Sequence, residues 1–191
     1  MKSLFLFIGL LLTINNLSAQ KKITENTKSN NIENVYIHVK FAQNIVVKNW
    51  SKNEIAVEAT VNLNDNEGND YFSLKTEKVG GTYTVKSDYG NFFKNNSKKR
   101  TIGNNRTSVT YNDCNTNVVA NYVIYVPKNM ELKVKSISGS VEEENYAGIL
   151  NLDLISGNIT VKKHSKDMHL KTISGDIDIF ITDATFEAKS L

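Results

Sequence analysis

Ile-Ser-Gly occurs at residues 137–139, 155–157 and 173–175, each copy eighteen residues after the one before. A short fixed period of this kind leaves few folding options, because one unit cannot bury an apolar face alone and must stack on its neighbours. In one frame the units are LKVKSISGSVEEENYAGI (132–149), LNLDLISGNITVKKHSKD (150–167) and MHLKTISGDIDIFITDAT (168–185). Apolar residues recur at positions one, three, six and ten: Leu132, Val134, Ile137 and Val141, then Leu150, Leu152, Ile155 and Ile159, then Met168, Leu170, Ile173 and Ile177. Position twelve is Glu143, Val161 and Ile179. All of these are expected to point inward. Ser138, Gly139, Ser156, Gly157, Ser174 and Gly175 are read as structural corner residues, because glycine adopts backbone angles that other residues avoid. Stacking places the three serines in a column about 4.8 Å apart. FEAKSL (186–191) opens a fourth unit, and the sequence reads as a repeat truncated in its fourth coil.

Eighteen is also three times six, the coil length of the left-handed hexapeptide β-helix, a fold that would imply an acyltransferase. Stepping by six from Ile137 places Glu143, Asp167 and Thr185 in inward slots, so a coil of alternating strands accounts for more of the apolar residues.

Upstream, period-two alternation runs through Val35-Ile37-Val39, Ile45-Val47, Ile55-Val57-Ala59-Val61-Leu63, Phe72-Leu74, Tyr83-Val85, Val109-Tyr111 and Tyr122-Ile124-Val126. This is the pattern of half-buried strands. No segment past residue 20 carries a helical period. The fold class is therefore read as all-β, an N-terminal antiparallel β-region continuing into a short β-solenoid with an 18-residue repeat. Pro127, the chain's single proline, lacks the amide proton of a central ladder and is placed at the junction.

Residues 1–19 have the plan of a signal peptide: Lys2, an apolar run from Leu4 to Leu12, and Ser18-Ala19 at the end. The run is shorter than the roughly 20 residues of a spanning helix, and no transmembrane segment is expected. The expected organisation is signal peptide 1–19, disordered lead-in 20–33, N-terminal β-region 34–129 with a long loop at 88–108, and repeats from 130 to 191.

The formal charge of +3 is too small to point to nucleic acid. One cysteine, Cys114, allows no internal disulfide. The loop at 88–108 carries Phe92, Phe93, Lys98, Lys99 and Arg100, which read either as a contact loop or as an ordinary solvated hairpin. Asp153, Asp176 and Asp178, with Lys162, Lys163 and Lys171, are the carboxylates and bases that glycoside chemistry would use if gathered on one face. Charge at outward positions is more often a solubilising surface. His38, His164 and His169 show no metal-ligand spacing and are expected at the surface. Tyr71, Tyr83, Tyr89, Tyr111, Tyr122, Tyr125 and Tyr146 could stack on sugars or simply pack across strands.

Three sequence blocks carry a family resemblance. They are Ala42-Gln43-Asn44-Ile45-Val46-Val47 followed by Trp50 to Ala59, then Tyr122-Val123-Ile124-Tyr125-Val126-Pro127-Lys128-Asn129-Met130-Glu131-Leu132, then the recurring Ser-Gly-Asx-Ile. Over roughly Val35 to Leu191 the chain resembles the bacterial putative-adhesin β-solenoid family, exported envelope proteins with a domain of unknown function. The resemblance implies the fold and export, and it transfers no binding residues. The expectation is a non-enzymatic exported envelope protein without a cofactor, acting as adhesin or scaffold toward a protein or glycan, with self-association through the C-terminal edge as a further possibility. The alternative is a polysaccharide-active β-helix enzyme or its degenerate relative.

Overall fold

The computed structural model describes residues 20–104, 107–114, 116–181 and 184–190, with the side chains of 98–114 outside the description. The expected signal peptide at 1–19 lies outside the described residues. In chain order the strands are β1 (Lys21–Lys28), β2 (Asn34–Asn49), β3 (Glu54–Leu63), β4 (Ser73–Val79), β5 (Thr82–Asp88), β6 (Ser97–Asn104), β7 (Thr107–Cys114), β8 (Val118–Val126), β9 (Glu131–Glu143), β10 (Ile149–Ser156), β11 (Ile159–Lys162), β12 (Met168–Ser174), β13 (Ile177–Phe180) and β14 (Phe186–Ser190). The helix α1 (Phe92–Asn95) is a single turn.

Twelve strands share one mixed sheet, and β6 and β7 form a separate hairpin. The long strands β2 and β9 each contribute to two ladders. The first ladder runs β4-β5-β2-β9-β10-β12-β14 through the early residues of β2 and β9. The second runs β1-β3-β8-β2-β9-β11-β13 through their later residues. From β9 onward every pairing is parallel and offset by eighteen residues: Leu132 lies beside Leu150, Leu150 beside Met168, and Met168 beside Phe186. Val141, Ile159 and Ile177 repeat this on the second ladder.

One hydrophobic core lies between the ladders. Val35, Ile37, Leu132, Val134, Leu150, Leu152 and Leu170 contribute from the first, and Ile45, Val47, Val57, Ile124, Val141, Ile159 and Val161 from the second. Full burial of each such side chain stabilises by roughly 1.5–3 kcal/mol. The expected boundary at 129/130 falls inside this core, because β2 pairs with β9 in the register of the repeat, Val35 beside Leu132 and Ile45 beside Val141.

Three sequence expectations are corrected. The lead-in expected to be disordered contains β1, eight residues paired antiparallel with β3 from Lys21–Val61 to Lys28–Glu54. Its composition is polar because it is an edge strand with an outward side, and Lys21 Nζ also donates to the carbonyls of Asn69 and Phe72, both at 3.1 Å. The long loop at 88–108 holds α1 and most of the β6–β7 hairpin. Position six of the repeat points outward: Ile137, Ile155 and Ile173 are 38, 50 and 43 % exposed. The strand keeps period two up to the corner, so position five faces in, as Ser136, Leu154 and Thr172. Two of those are polar because their hydroxyls reach corner carbonyls: Ser136 Oγ donates to Ser138 O at 2.6 Å and Thr172 Oγ1 to Gly157 O at 3.0 Å.

The corner itself explains the glycines. Gly139, Gly157 and Gly175 have φ of 108°, 133° and 145°. A Cβ on Gly157 would lie 2.3 Å from the carbonyl oxygen of Gly139, and one on Gly175 2.2 Å from that of Gly157. Gly157 and Gly175 thus pack on the backbone of the glycine one unit earlier, and Gly139 packs on the backbone of Ala42. Beside this column the Asn158 amide donates to Ser140 Oγ at 3.2 Å and the Asp176 amide to Asn158 Oδ1 at 3.0 Å.

Candidate interaction face

Period two gives each ladder an outward face as regular as its inward one. On the first ladder, Lys75, Lys86, His38, Lys135, Asp153, Lys171 and Lys189 stand side by side on seven adjacent strands. At a strand spacing of about 4.8 Å, the row is roughly 29 Å long. Six of its seven members carry or can acquire positive charge. Like charges placed directly opposite in a ladder are destabilising, yet Lys75 faces Lys86 and Lys171 faces Lys189. Two ion pairs relieve part of this, Lys75 with Asp88 at 3.5 Å and Lys135 with Asp153 at 3.2 Å.

His38 reports the field of the row. Burial, followed by the charges of Lys135, Lys40 and Lys86, pushes its pKa below the ordinary imidazole value. Its ring stacks on Tyr36, centroids 6.2 Å apart and planes 25° from parallel. On one side of the charged row lies a second row of Tyr36, Lys133, Asn151, His169 and Glu187. On the other side are the exposed isoleucines 137, 155 and 173. Over β9, β10 and β12 the face therefore has a charged centre between a polar margin and an apolar one, while on β5 the position beyond Lys86 is Asp88.

The corresponding row on the second ladder contains Glu58, Val123, Val46, Glu142, Thr160 and Asp178. It has three carboxylates and no base. Lysines beside it are paired, Lys162 with Glu142 and Lys48 with Glu144, the latter at 3.0 Å.

The carboxylates singled out from sequence are not brought together. Asp153 stands on the first ladder's outer face, and Asp178 on the second's. Asp176 sits at the corner, its amide bonded to Asn158. Lys171 lies beside Asp153, while Lys163 occupies a turn with φ of 58°. His169 Nδ1 meets Glu187 at 3.0 Å. No group of three His, Cys, Asp or Glu side chains suited to a metal ion occurs among the described residues. An open groove of about 560 Å³ borders the return turns, lined by Gly148, Ile149, Ser165, Lys166, Asp167 and Thr185 among others, and Lys166 and Asp167 are its charged groups among the described residues.

His164, expected at the surface, is buried, its ring 6.4 Å from that of Tyr146 one unit earlier. Neither ring nitrogen has a hydrogen-bond partner among the described residues. Burial lowers its pKa, with the backbone of Asp167, Tyr146 and Lys166 opposing the shift. Glu143 is also buried in line with Val47 and Val161. Its Oε1 accepts from the amides of Asn145 and Tyr146, and burial raises its pKa despite those bonds.

The aromatic half of the contact loop is likewise corrected. Phe92 is fully buried and Phe93 packs against the core, both within a cluster with Phe41, Phe72, Tyr89 and Tyr122. Burial of large apolar rings outweighs display on a turn. The side chains of Lys98, Lys99, Arg100, Tyr111 and Cys114 lie outside the described residues. Of the other tyrosines, Tyr83, Tyr89, Tyr122 and Tyr146 are buried, Tyr71 is exposed, and Tyr125 stacks on Trp50 with centroids 4.9 Å apart. Sequence reading missed the cationic row, although the alternation that marks Val35-Ile37-Val39 as inward also marks Tyr36-His38-Lys40 as outward.

No family model and no curated protein matches the chain. Solved structures do. A "putative cell adhesion protein" from Clostridium sporogenes ATCC 15579 aligns over 90 % of this chain and 100 % of its own, with 10 % identity and a TM-score of 0.41. A "putative adhesin" from Parabacteroides distasonis ATCC 8503 aligns over 90 % and 79 %, with 13 % identity and a TM-score of 0.30. A "putative lipid binding protein" from the same organism aligns over 89 % and 96 %, with 12 % identity and a TM-score of 0.25. Among the described residues, no helix is long and apolar enough to cross a membrane.

Proposed function

We propose that the chain is an exported, non-enzymatic β-solenoid of the adhesin-like type that presents a flat outer face to a protein or glycan at the cell envelope. The observation that carries the reading is the first ladder's outer face, a continuous surface across seven strands. The repeated eighteen-residue offset of the parallel pairs supports the solenoid, and the plan of residues 1–19 supports export. Separation of Asp153 from Asp178 onto different faces disfavours a paired-carboxylate glycosidase, which needs its two carboxyl groups about 5–10 Å apart across the scissile bond.

The test uses the full chain with a C-terminal epitope, expressed in a bacterium. The expected result is a product shortened by the first nineteen residues in the periplasm, at the surface or in the medium, which retains envelope protein or glycan without releasing new reducing ends. Retention in the cytoplasm would overturn export, and progressive depolymerisation of a bound glycan would establish the enzymatic alternative.

A further inference from the structure

The outer face of the first ladder is chemically selective. Its cations are spaced by one strand, so they meet a linear ligand lying across the strands at regular intervals. We propose that this face binds a linear, carboxylate-bearing polysaccharide laid across the strands, its acidic groups on Lys75, Lys86, Lys171 and Lys189 and its sugar rings over the isoleucine column. The proposal rests on the exported reading above and deepens it by naming a ligand class.

Charge complementarity makes the ligand anionic. The row has six basic members against one acid, whereas the equivalent row of the second ladder has three acids and no base. Lys171 and Lys189 also repel each other, and a bound anion removes that cost.

The interruption at Asp153 points to sugar rather than nucleic acid. Its carboxylate, paired with Lys135, keeps lone pairs that accept hydrogen bonds from sugar hydroxyls, which a phosphate chain does not offer. Asn151, beside Lys133 and His169 in the neighbouring row, offers an amide to the same hydroxyls. On β9, β10 and β12 the exposed isoleucines give the C–H faces of pyranose rings an apolar surface with the strand spacing of the charges. None of the seven row positions is an arginine, so the row itself lacks the bidentate fork favoured for phosphate.

The experiment is calorimetric titration of the mature full chain with polygalacturonate fragments, dextran, and duplex DNA in low salt. Two charge-matched variants are compared: Lys86→Glu/Lys171→Glu/Lys189→Glu on the face, and Lys22→Glu/Lys28→Glu/Lys128→Glu away from it. Exposed ion pairs are individually weak, so three reversals on the face are expected to weaken polygalacturonate binding about tenfold or more. The off-face set should change it by less than about twofold, and wild-type binding should weaken as salt is raised. Lys→Gln versions at the same face positions keep the comparison if the glutamates disturb folding.

Equal loss in both variants would mean that net charge alone attracts polyanions, and would overturn the assigned face. Preference for DNA over polygalacturonate would overturn the ligand class. Failure to bind any polyanion would overturn the inference while leaving adhesion to a neutral glycan or a protein intact. Failure of the protein to leave the cytoplasm would instead remove the exported reading on which the ligand class depends.

Discussion

The two ladders are built from the same strands, β2 and β9, and enclose the same core, yet their outer faces carry opposite charge. On the first, five lysines and a histidine are aligned across seven strands with one aspartate among them, and Lys75 and Lys135 are held in ion pairs. On the second, carboxylates recur at Glu58, Glu142 and Asp178, and nearby lysines are held in ion pairs. Folding demands only that inward positions be apolar. Outward positions need to be soluble, and a random mixture would satisfy that. The difference between the faces teaches that one is a general solvent surface, whereas the other tolerates side-by-side repulsion that folding does not require.

The largest expected effect lies at the corner that joins the ladders. Gly157→Ala places a Cβ against the Gly139 carbonyl at a φ of 133°, and strain plus overpacking should cost about 3–5 kcal/mol in urea unfolding. Gly80→Ala, also at positive φ but with nothing within 4 Å of its Cβ, should cost only about 1–2 kcal/mol. Equal losses would mean that the glycine column is not a packing contact.

Next comes the contrast within a single strand. Leu152→Ala removes a fully buried side chain and should cost about 2–5 kcal/mol. Ile155→Ala, three residues on and half exposed, should cost under about 1 kcal/mol. The reverse order in a denaturation series would return position six to the interior.

The buried ionisable groups give effects of intermediate size, read against pH. Because the fold lowers the pKa of His164, its favourable contribution is present above the ordinary imidazole value and is lost as pH falls through that value toward the folded one. The melting temperature should therefore fall as pH drops from about 7 to 5. His164→Leu should flatten that fall and raise the melting temperature at the acid end. Glu143 has the opposite sign: its raised pKa gives a contribution present at low pH and lost as pH rises through the folded value. Glu143→Gln should weaken the dependence in the carboxylate range. A variant His164→Leu with the wild-type slope would place the titration elsewhere, His38 being the other imidazole with a lowered pKa.

The smallest effects contrast the faces directly. Asp153→Asn leaves the cationic row without its one acid and should destabilise by about 0.2–1 kcal/mol at low salt, an effect that added salt removes. Asp178→Asn thins a row of carboxylates and should be neutral or stabilising by a few tenths of a kcal/mol. Matching signs in thermal denaturation would erase the proposed asymmetry.

Much of the fold was legible because period and alternation are direct consequences of stacking. The eighteen-residue offset, the corner glycines, the all-β class and most inward residues of the repeat can be read from the sequence. Less legible was β2, which joins the repeat stack from almost a hundred residues upstream, because parallel pairing leaves no local mark. The strand β1 was hidden by edge polarity, and Phe92 by the turn residues around it. Position six misled because isoleucine favours a strand on either face, while inward Ser136 and Thr172 are satisfied by carbonyls that only the folded corner supplies. The candidate face was spread over seven strands and becomes a row only when their registers are aligned.

The most direct measurement is a lysine-acetylation footprint of the full chain with and without polygalacturonate, read by peptide mass spectrometry. Protection concentrated at Lys75, Lys86, Lys171 and Lys189, with Lys22, Lys28 and Lys162 unchanged, is the result this account predicts. Uniform protection, or protection greatest at Lys162 on the second ladder, would contradict it.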